Sequence, residues 1–447
     1  MRETLETYYF IIVFISFLYI FFKVGINKLS FIIVLIFWGG LFAFIGTTFF
    51  NLYKIFVVAY CLFLFGDKVF KRFNSHEKYI NAFFAFFTIS FWISYFYNGG
   101  GITTILSQYA FKFGLAFLIY HGFKDVVYNT GKKEYLKYLL LQILYVQVVL
   151  SVIKILLFGF AFEQHVGSMA FGGAGVAVVM PILGLIFYWL IHKGKLTLRD
   201  WLIVSSFLLI GLASGKRAPV ILFPLFALLL VGYGRGKLLF NLSNIVIILP
   251  LALFLFYLGA RVTPSLNPDN KVGGRFDFEH IINYSIEYNF GTSDQTIIFS
   301  ENYKTESRGG GLVLLFNPQR LGLSGIKEFL FGKGLYEVAV KEKGKLILGD
   351  EYDIEHQGGI GTPARLLFTL GYVGLVSMFL FSVVVINTIY NRRLKLVVFL
   401  FYFWEFFFYG NQVIFNHASI IVVCFIIFNS NSVGKAQLNG KITLYTQ

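Results

Sequence analysis

Charge is what this chain lacks most. Asp, Glu, Lys and Arg together make up 14% of its 447 residues. An ordinary soluble domain carries about 25%. So few charged groups cannot dress the surface of one or more water-soluble cores, so a soluble enzyme, a disordered chain and a coiled coil are excluded. Cysteine is nearly absent too. Cys61 and Cys424 both lie in apolar runs, which rules out a zinc cluster and a disulfide framework. No basic tract is long enough to suggest DNA or RNA as a partner, and no repeat of 20–50 residues is visible. A cleavable leader is not expected, because no small-residue cleavage site follows the first apolar run; Lys23 and Lys28 follow it instead.

What is present is apolar. Hydrophobic residues make up 57% of the chain, 56 residues are Phe, and the mean hydropathy is +0.72. The expected fold is an all-α polytopic membrane protein. A membrane span needs about 20 apolar residues. Thirteen segments approach that length, near 8–22, 29–49, 52–66, 79–97, 102–121, 138–160, 174–191, 201–214, 218–232, 244–260, 364–387, 396–410 and 413–428. Several are short, so the expected count is about 11–13 spans. Three regions follow: about ten spans over 1–260, a polar loop over 261–363, and further spans with a tail over 364–447.

The charge that does exist is unevenly placed. The loop 261–363 holds 14 of the 23 acidic residues and 11 of the 38 basic ones, leaving it at −3 and the rest of the chain at +18. Basic residues crowd the loops after the odd-numbered segments, as at Lys68, Lys71, Arg72 and Lys78, or at Arg392, Arg393 and Lys395. Cytoplasmic loops carry such an excess. The C-terminus is therefore expected in the cytoplasm and the loop 261–363 outside. That loop is too long for a plain connection and carries turn signals at Pro264, Pro268, Gly309–Gly311 and Pro318. A partly helical subdomain or lid is expected there.

Only Arg2, Lys54, Lys216, Arg217 and Arg365 break the charge asymmetry outside that loop. Lys216 and Arg217 sit in Ala213-Ser-Gly-Lys-Arg-Ala-Pro219, a short connection between two apolar segments. A guanidinium held between two helix ends presents a rigid fork of donors suited to phosphate or pyrophosphate. Snorkelling to lipid headgroups, or pairing with an acid of the loop, is the alternative. A second constellation runs from Arg320 to Gly334: an Arg, a helix-like stretch, then Phe-Gly-Lys-Gly. Its glycines permit a tight turn back to the membrane. Arg320 is either an anion ligand or a solvated partner of an acid such as Glu328. A third is Asp350-Glu-Tyr-Asp-Ile-Glu-His-Gln357, followed by glycines and by Arg365 at the mouth of the next span. His356 there could take a proton from a sugar hydroxyl, the acids could serve as base or bind a divalent cation, or the loop is simply solvated. Lys112, Lys154, Glu405 and His417 fall in or beside apolar runs, where such groups face a cavity or each other. Lys154 and Glu405 could pair. Ala170-Phe-Gly-Gly-Ala-Gly175 reads as close helix packing.

These motifs, taken in order, resemble the O-antigen polymerase and O-antigen ligase superfamily of bacterial membrane glycosyltransferases. Ser214-Gly-Lys-Arg-Ala218 is similar to its small-Gly-Ser-Arg-small pattern, with Lys216 where Ser is common. The Arg320–Gly334 stretch resembles its Arg, helix and apolar-Gly-x-Gly pattern. His356-Gln357 followed by Gly371-Tyr-Val-Gly374 resembles its His motif and Gly-x-x-Gly, with a longer gap between them. The resemblance covers roughly residues 165–380. It implies a GT-C-like membrane glycosyltransferase in the bacterial cytoplasmic membrane, with no cofactor and no obligatory metal. The donor would be an undecaprenyl-pyrophosphate-linked oligosaccharide. Arg217 and Arg320 would stabilise the leaving pyrophosphate, Lys216 and Arg365 would help bind it, and His356 would orient or deprotonate the acceptor. Membrane lipids, a flippase and a chain-length regulator are the further partners implied. A polymerase is favoured; a ligase acting on lipid A core, or a flippase or other transporter of lipid-linked glycans, are the alternatives.

Overall fold

The computed structural model describes residues 2–24, 27–69, 75–98, 102, 105–160, 167–169, 173–193, 195–232, 242–290, 312, 315–321, 323–334, 362–409 and 418–430. Among these residues the secondary structure is helical throughout and no β-strand occurs. The helices are α1 Arg2–Val24, α2 Lys28–Phe37, α3 Gly40–Ile45, α4 Thr47–Val69, α5 Ser75–Asn98, α6 Leu115–Tyr128, α7 Thr130–Phe158, α8 Gly173–Ile191, α9 Leu198–Ser206, α10 Leu208–Leu212, α11 Ala218–Gly232, α12 Leu242–Val262, α13 Phe278–Phe290, α14 Ile326–Phe331, α15 Thr362–Asn387 and α16 Arg392–Trp404. A last apolar helix, α17, spans Ala418–Ser430. Two π-helical stretches, Ile105–Gly114 and Glu405–Tyr409, lead into α6 and continue α16.

Among the described residues five helices are long and apolar enough to cross a membrane: Glu3–Lys23, Thr47–Val69, Lys78–Asn98, Gly131–Phe158 and Pro363–Asn387. Five shorter apolar helices accompany them, within α2, α8, α11, α12 and α17. Large apolar side chains such as Phe22, Phe63, Phe96 and Leu156 are exposed on the outer helices, a surface suited to lipid and costly in water. The inner helices are buried all round. Every residue from Val176 to Trp189 in α8 is buried, as is every residue of α17. A helix apolar on all faces belongs in such a place. Phe187 and Phe425 meet edge-on there, at 5.1 Å.

Two of the apolar segments are not single helices. The run 29–49 breaks after Trp38, where Gly39 and Gly40 interrupt it. The break is closed by a distant piece of chain: Ser168 Oγ donates to Phe37 O at 2.8 Å, and Gly40 N–H donates to Ser168 O at 3.1 Å. Gln147 in turn holds Ser168 through its amide. The run 201–214 is likewise split at Phe207 into α9 and α10. Periodicity reports apolarity but does not mark where a ladder of backbone hydrogen bonds stops. Freed backbone groups inside a membrane protein must find partners.

The third break shapes the centre of the molecule. α15 packs along α5 but is kinked at Gly371, whose φ of 65° and ψ of −171° are not helical. The carbonyls just before the kink lose their own helix partners. Four other groups replace them. Lys333 N–H donates to Phe368 O at 2.7 Å and Gly334 N–H to Thr369 O at 3.1 Å. From α5, Ser94 Oγ donates to Thr369 O and Ser90 Oγ to Leu370 O, each at 2.7 Å. Ser94→Ala is expected to lower stability by about 0.6–2 kcal/mol, the range for one interhelical hydrogen bond in a membrane protein. Thermal melting of the purified protein reads this. An unchanged melting temperature would show that the kink holds without α5.

Candidate functional site

The Ser214-Gly-Lys-Arg motif forms a turn between two helix ends, as its short connection predicts. Gly215 takes φ of 65°, and the amides of Ser214, Gly215 and Lys216 bond back to carbonyls of Gly211 and Leu212. This is a left-handed helix terminus that needs no side chain at Gly215. α11 then starts at Ala218-Pro219, with Val220 N–H bonding Arg217 O at 3.0 Å. Close packing fixes the turn. A Cβ on Gly211 would stand 2.7 Å from Pro219 Cγ and 3.0 Å from Ala177 O.

Two neighbours give the turn its chemistry. Beneath it, Lys154 of α7 is fully buried and its Nζ lies 3.4 Å from Ser214 Oγ. Above it, α13 of the long loop lays Tyr284 against Arg217, with the guanidinium carbon 4.7 Å from the ring centre. α13 is seated there by a small core of Val220, Ala260, Leu266 and Ile281. The chain between α12 and α13 is tied down by Arg261, which donates to Gly274 O at 2.9 Å and Gly273 O at 3.0 Å. Thus one part of the 261–363 segment covers Arg217. A double-mutant cycle on Arg217→Ala and Tyr284→Ala is expected to give a coupling of about 0.5–2 kcal/mol in melting experiments. Tyr284→Phe keeps the ring and is expected to keep the coupling; additive effects of the two alanines would refute it.

The second motif also folds locally as its pattern suggests. Arg320 lies in a 3₁₀ turn, Pro318–Leu321, and α14 follows. Glu328 accepts from the amides of Ser324 and Gly325, each at 3.2 Å, so its carboxylate caps its own helix. Gly332 and Gly334, with φ of 73° and 91°, then turn the chain into the α15 kink described above. The Phe-Gly-Lys-Gly stretch and the Gly371-Tyr-Val-Gly374 stretch are therefore one contact. Tyr372 completes it by donating to Leu315 O and by packing 4.3 Å from Phe329. The Arg320 side chain and the whole 350–357 stretch with His356 lie outside the described residues, as does His417.

A third grouping joins charges that the sequence scatters. Lys112 is half-buried on the π-helical stretch before α6. Tyr53 of α4 meets Phe111 at 5.8 Å, which sets the stretch that carries Lys54 beside the one that carries Lys112. Lys54 was visible as one of the few exceptions to the loop-charge asymmetry. Lys112 was visible as intramembrane charge. Their shared height was not, because it depends on helix register. The opposite intramembrane charge, Glu405, is fully buried and also opens a π-helical stretch. π-Helical turns are frequent at functional sites. Comparison of the chain with protein-family models, with curated proteins and with solved structures finds no match to any of them.

Proposed function

We propose that this protein is a bacterial surface polysaccharide polymerase of the cytoplasmic membrane, joining undecaprenyl-pyrophosphate-linked repeat units on the outer face. On this reading the chain makes 11–13 passes in a GT-C-like arrangement, the 261–363 segment lies outside and the C-terminus lies in the cytoplasm. The observation that carries the proposal is the Arg217 turn. A guanidinium held between two helix ends lies under an aromatic ring of the long loop, with a buried Lys154 behind it. Such a place suits a diphosphate at a membrane surface. Arg and phosphate pair through two parallel hydrogen bonds, and low local dielectric strengthens each.

The chemistry is a single displacement. The acceptor sugar hydroxyl attacks the anomeric carbon of the donor, forming the new glycosidic bond. The bond from that carbon to the pyrophosphate oxygen breaks, and the oxygen keeps the electron pair. Arg217 and Arg320 stabilise the charge that develops there, and Lys216 and Arg365 help to hold the substrate. The hydroxyl proton passes to His356. Fixed cations aimed at a developing oxyanion are the most productive device available to such a site. The reaction is tested with purified full-length protein in detergent and a lipid-linked repeat unit, without nucleotide sugar. Ladders of lengthening lipid-linked glycan are expected. Inactivity there, together with flipping of the same lipid in liposomes, would make the protein a transporter instead.

A further inference from the structure

α13 has a side that its seat on the bundle leaves uncovered. Ile281 enters the small core with Val220, Ala260 and Leu266, and Tyr284 lies on Arg217. Away from both, Phe278, Ile282 and Ile286 are 58%, 41% and 54% exposed. Their spacing of four residues lines them up along one side of the helix. Polar residues take the neighbouring edge, where Glu279 and Asn283 are exposed. A helix with water on all its outer sides would be polar along that stripe too. The stripe also has a continuation. Phe278 meets Phe256 of α12 edge-on at 6.4 Å, and Phe276 meets Tyr257 at 5.2 Å. α12 exposes Leu253, Phe254 and Leu258, so the stripe of α13 extends the apolar outer surface of a bundle helix. The depth fits as well. α12 has 21 residues and a helix rises about 1.5 Å per residue, so its length matches a hydrocarbon core of about 30 Å. Its last two turns carry Tyr257 and Arg261, hydrogen-bonded at 3.2 Å, a pairing suited to the polar boundary of a membrane. α13 packs on those last turns.

We infer that α13 is an interfacial helix, whose stripe of Phe278, Ile282 and Ile286 is seated in lipid at the boundary of headgroups and acyl chains. Two observations name lipid as the occupant: the stripe continues the outer surface of α12, and it stands at the level of the Tyr257–Arg261 pair. An amphipathic helix at such a boundary sinks its apolar face about 5–10 Å. Lys271 and Arg275, both exposed in the chain leading into α13, are placed to meet anionic headgroups. The rest of the long loop and a second copy of the chain are the rival occupants. Two grips then hold α13, the small core on its bundle side and lipid on its outer side. The consequence reaches the Arg217 turn, because the membrane itself helps to keep Tyr284 over the guanidinium. The inference does not need the polymerase reading, since a transporter with this fold would seat α13 in the same way.

The test places single nitroxide labels on the full-length chain through Phe278→Cys, Ile282→Cys, Ile286→Cys and Asn283→Cys. Cys61 and Cys424 are buried and do not compete for the label. Each protein is put into nanodiscs of phosphatidylethanolamine and phosphatidylglycerol. Electron paramagnetic resonance then reads collisions with oxygen, which concentrates among acyl chains, and with a nickel chelate, which stays in water. The three stripe labels are expected to meet mainly oxygen and the Asn283 label mainly the chelate. Stripe labels open to the chelate would put that face in water. Stripe labels closed to both reagents would put it against protein. An Asn283 label that behaves like the stripe would submerge the helix. Each of these three results overturns the inference. Ile282→Glu tests the hold on α13 itself. In the same nanodiscs it should speed tryptic cleavage after Arg275, beside the packed Phe276, about tenfold, as expected for expelling one apolar side chain from lipid. Asn283→Glu should leave the rate unchanged. A native rate in Ile282→Glu would show that lipid does not hold α13 and would overturn its role over Arg217.

Discussion

Replacing Arg217 with Ala is expected to lower glycan chain extension by about 10²–10³, the usual cost of removing one preorganised group from a developing oxyanion. The single-repeat lipid carrier should accumulate while membrane levels of the protein stay normal. Arg217→Lys is the sharper variant. It keeps the charge but loses the planar fork and the stacking on Tyr284, so it should recover only a small part of the rate. The close contact of Gly211 with Pro219 and Ala177 that fixes the turn remains in both variants, so the fold should tolerate both changes. Gel analysis of surface glycan, with quantification of the protein in membranes, gives the answer. Normal long chains in Arg217→Ala would remove the arginine from the mechanism and leave it as a clamp for α13.

The second large effect is expected at Gly332. Its φ of 73° lies in the left-handed region, and a Cβ there would stand 2.5 Å from the Thr369 carbonyl carbon and 2.6 Å from the Leu370 nitrogen. Both contacts are backbone and cannot swing away. Left-handed strain costs about 1–3 kcal/mol, and forced overpacking about as much again. Gly332→Ala should therefore destabilise by about 2 kcal/mol or more and undock the Lys333 and Gly334 amides from α15. Gly371→Ala should behave alike, because its Cβ would meet Leu330 O at 2.3 Å. Gly66→Ala is the control, since nothing lies within 4 Å of its Cβ in the last turn of α4. Melting temperatures in detergent decide it. If Gly332→Ala melts with the native chain, the loop does not need this contact.

These two positions show where reading the chain stops. Gly332 and Gly371 each look like a flexible residue in an apolar context. Nothing in their spacing says that one fits against the other across 39 residues. The same is true of Ser90 and Ser94, which read as minor polar interruptions of an apolar run but carry hydrogen bonds to a broken helix. Tyr284 has no motif around it at all. Arg217 was legible because charge between two apolar segments is costly and therefore conspicuous. Arg320 was legible only through the order of the motifs around it.

By itself the sequence determined that the chain is helical and built for a membrane. Scarcity of charge and continuous apolar runs near 20 residues point to helices, because a barrel strand is about half as long and alternates apolar with polar residues. It also placed ten of the thirteen apolar segments within helices or helix pairs to within a few residues; 102–121, 396–410 and 413–428 reach beyond the described residues. The tertiary structure alone decided where those helices break, because a break is stable only when a distant partner takes up the freed groups. Ser168 does this after Phe37, and Lys333 and Gly334 do it before Gly371. It alone decided which charges meet, because side chains on parallel helices become neighbours only through register. Lys54 and Lys112 lie 58 residues apart in the chain and at one height in the bundle.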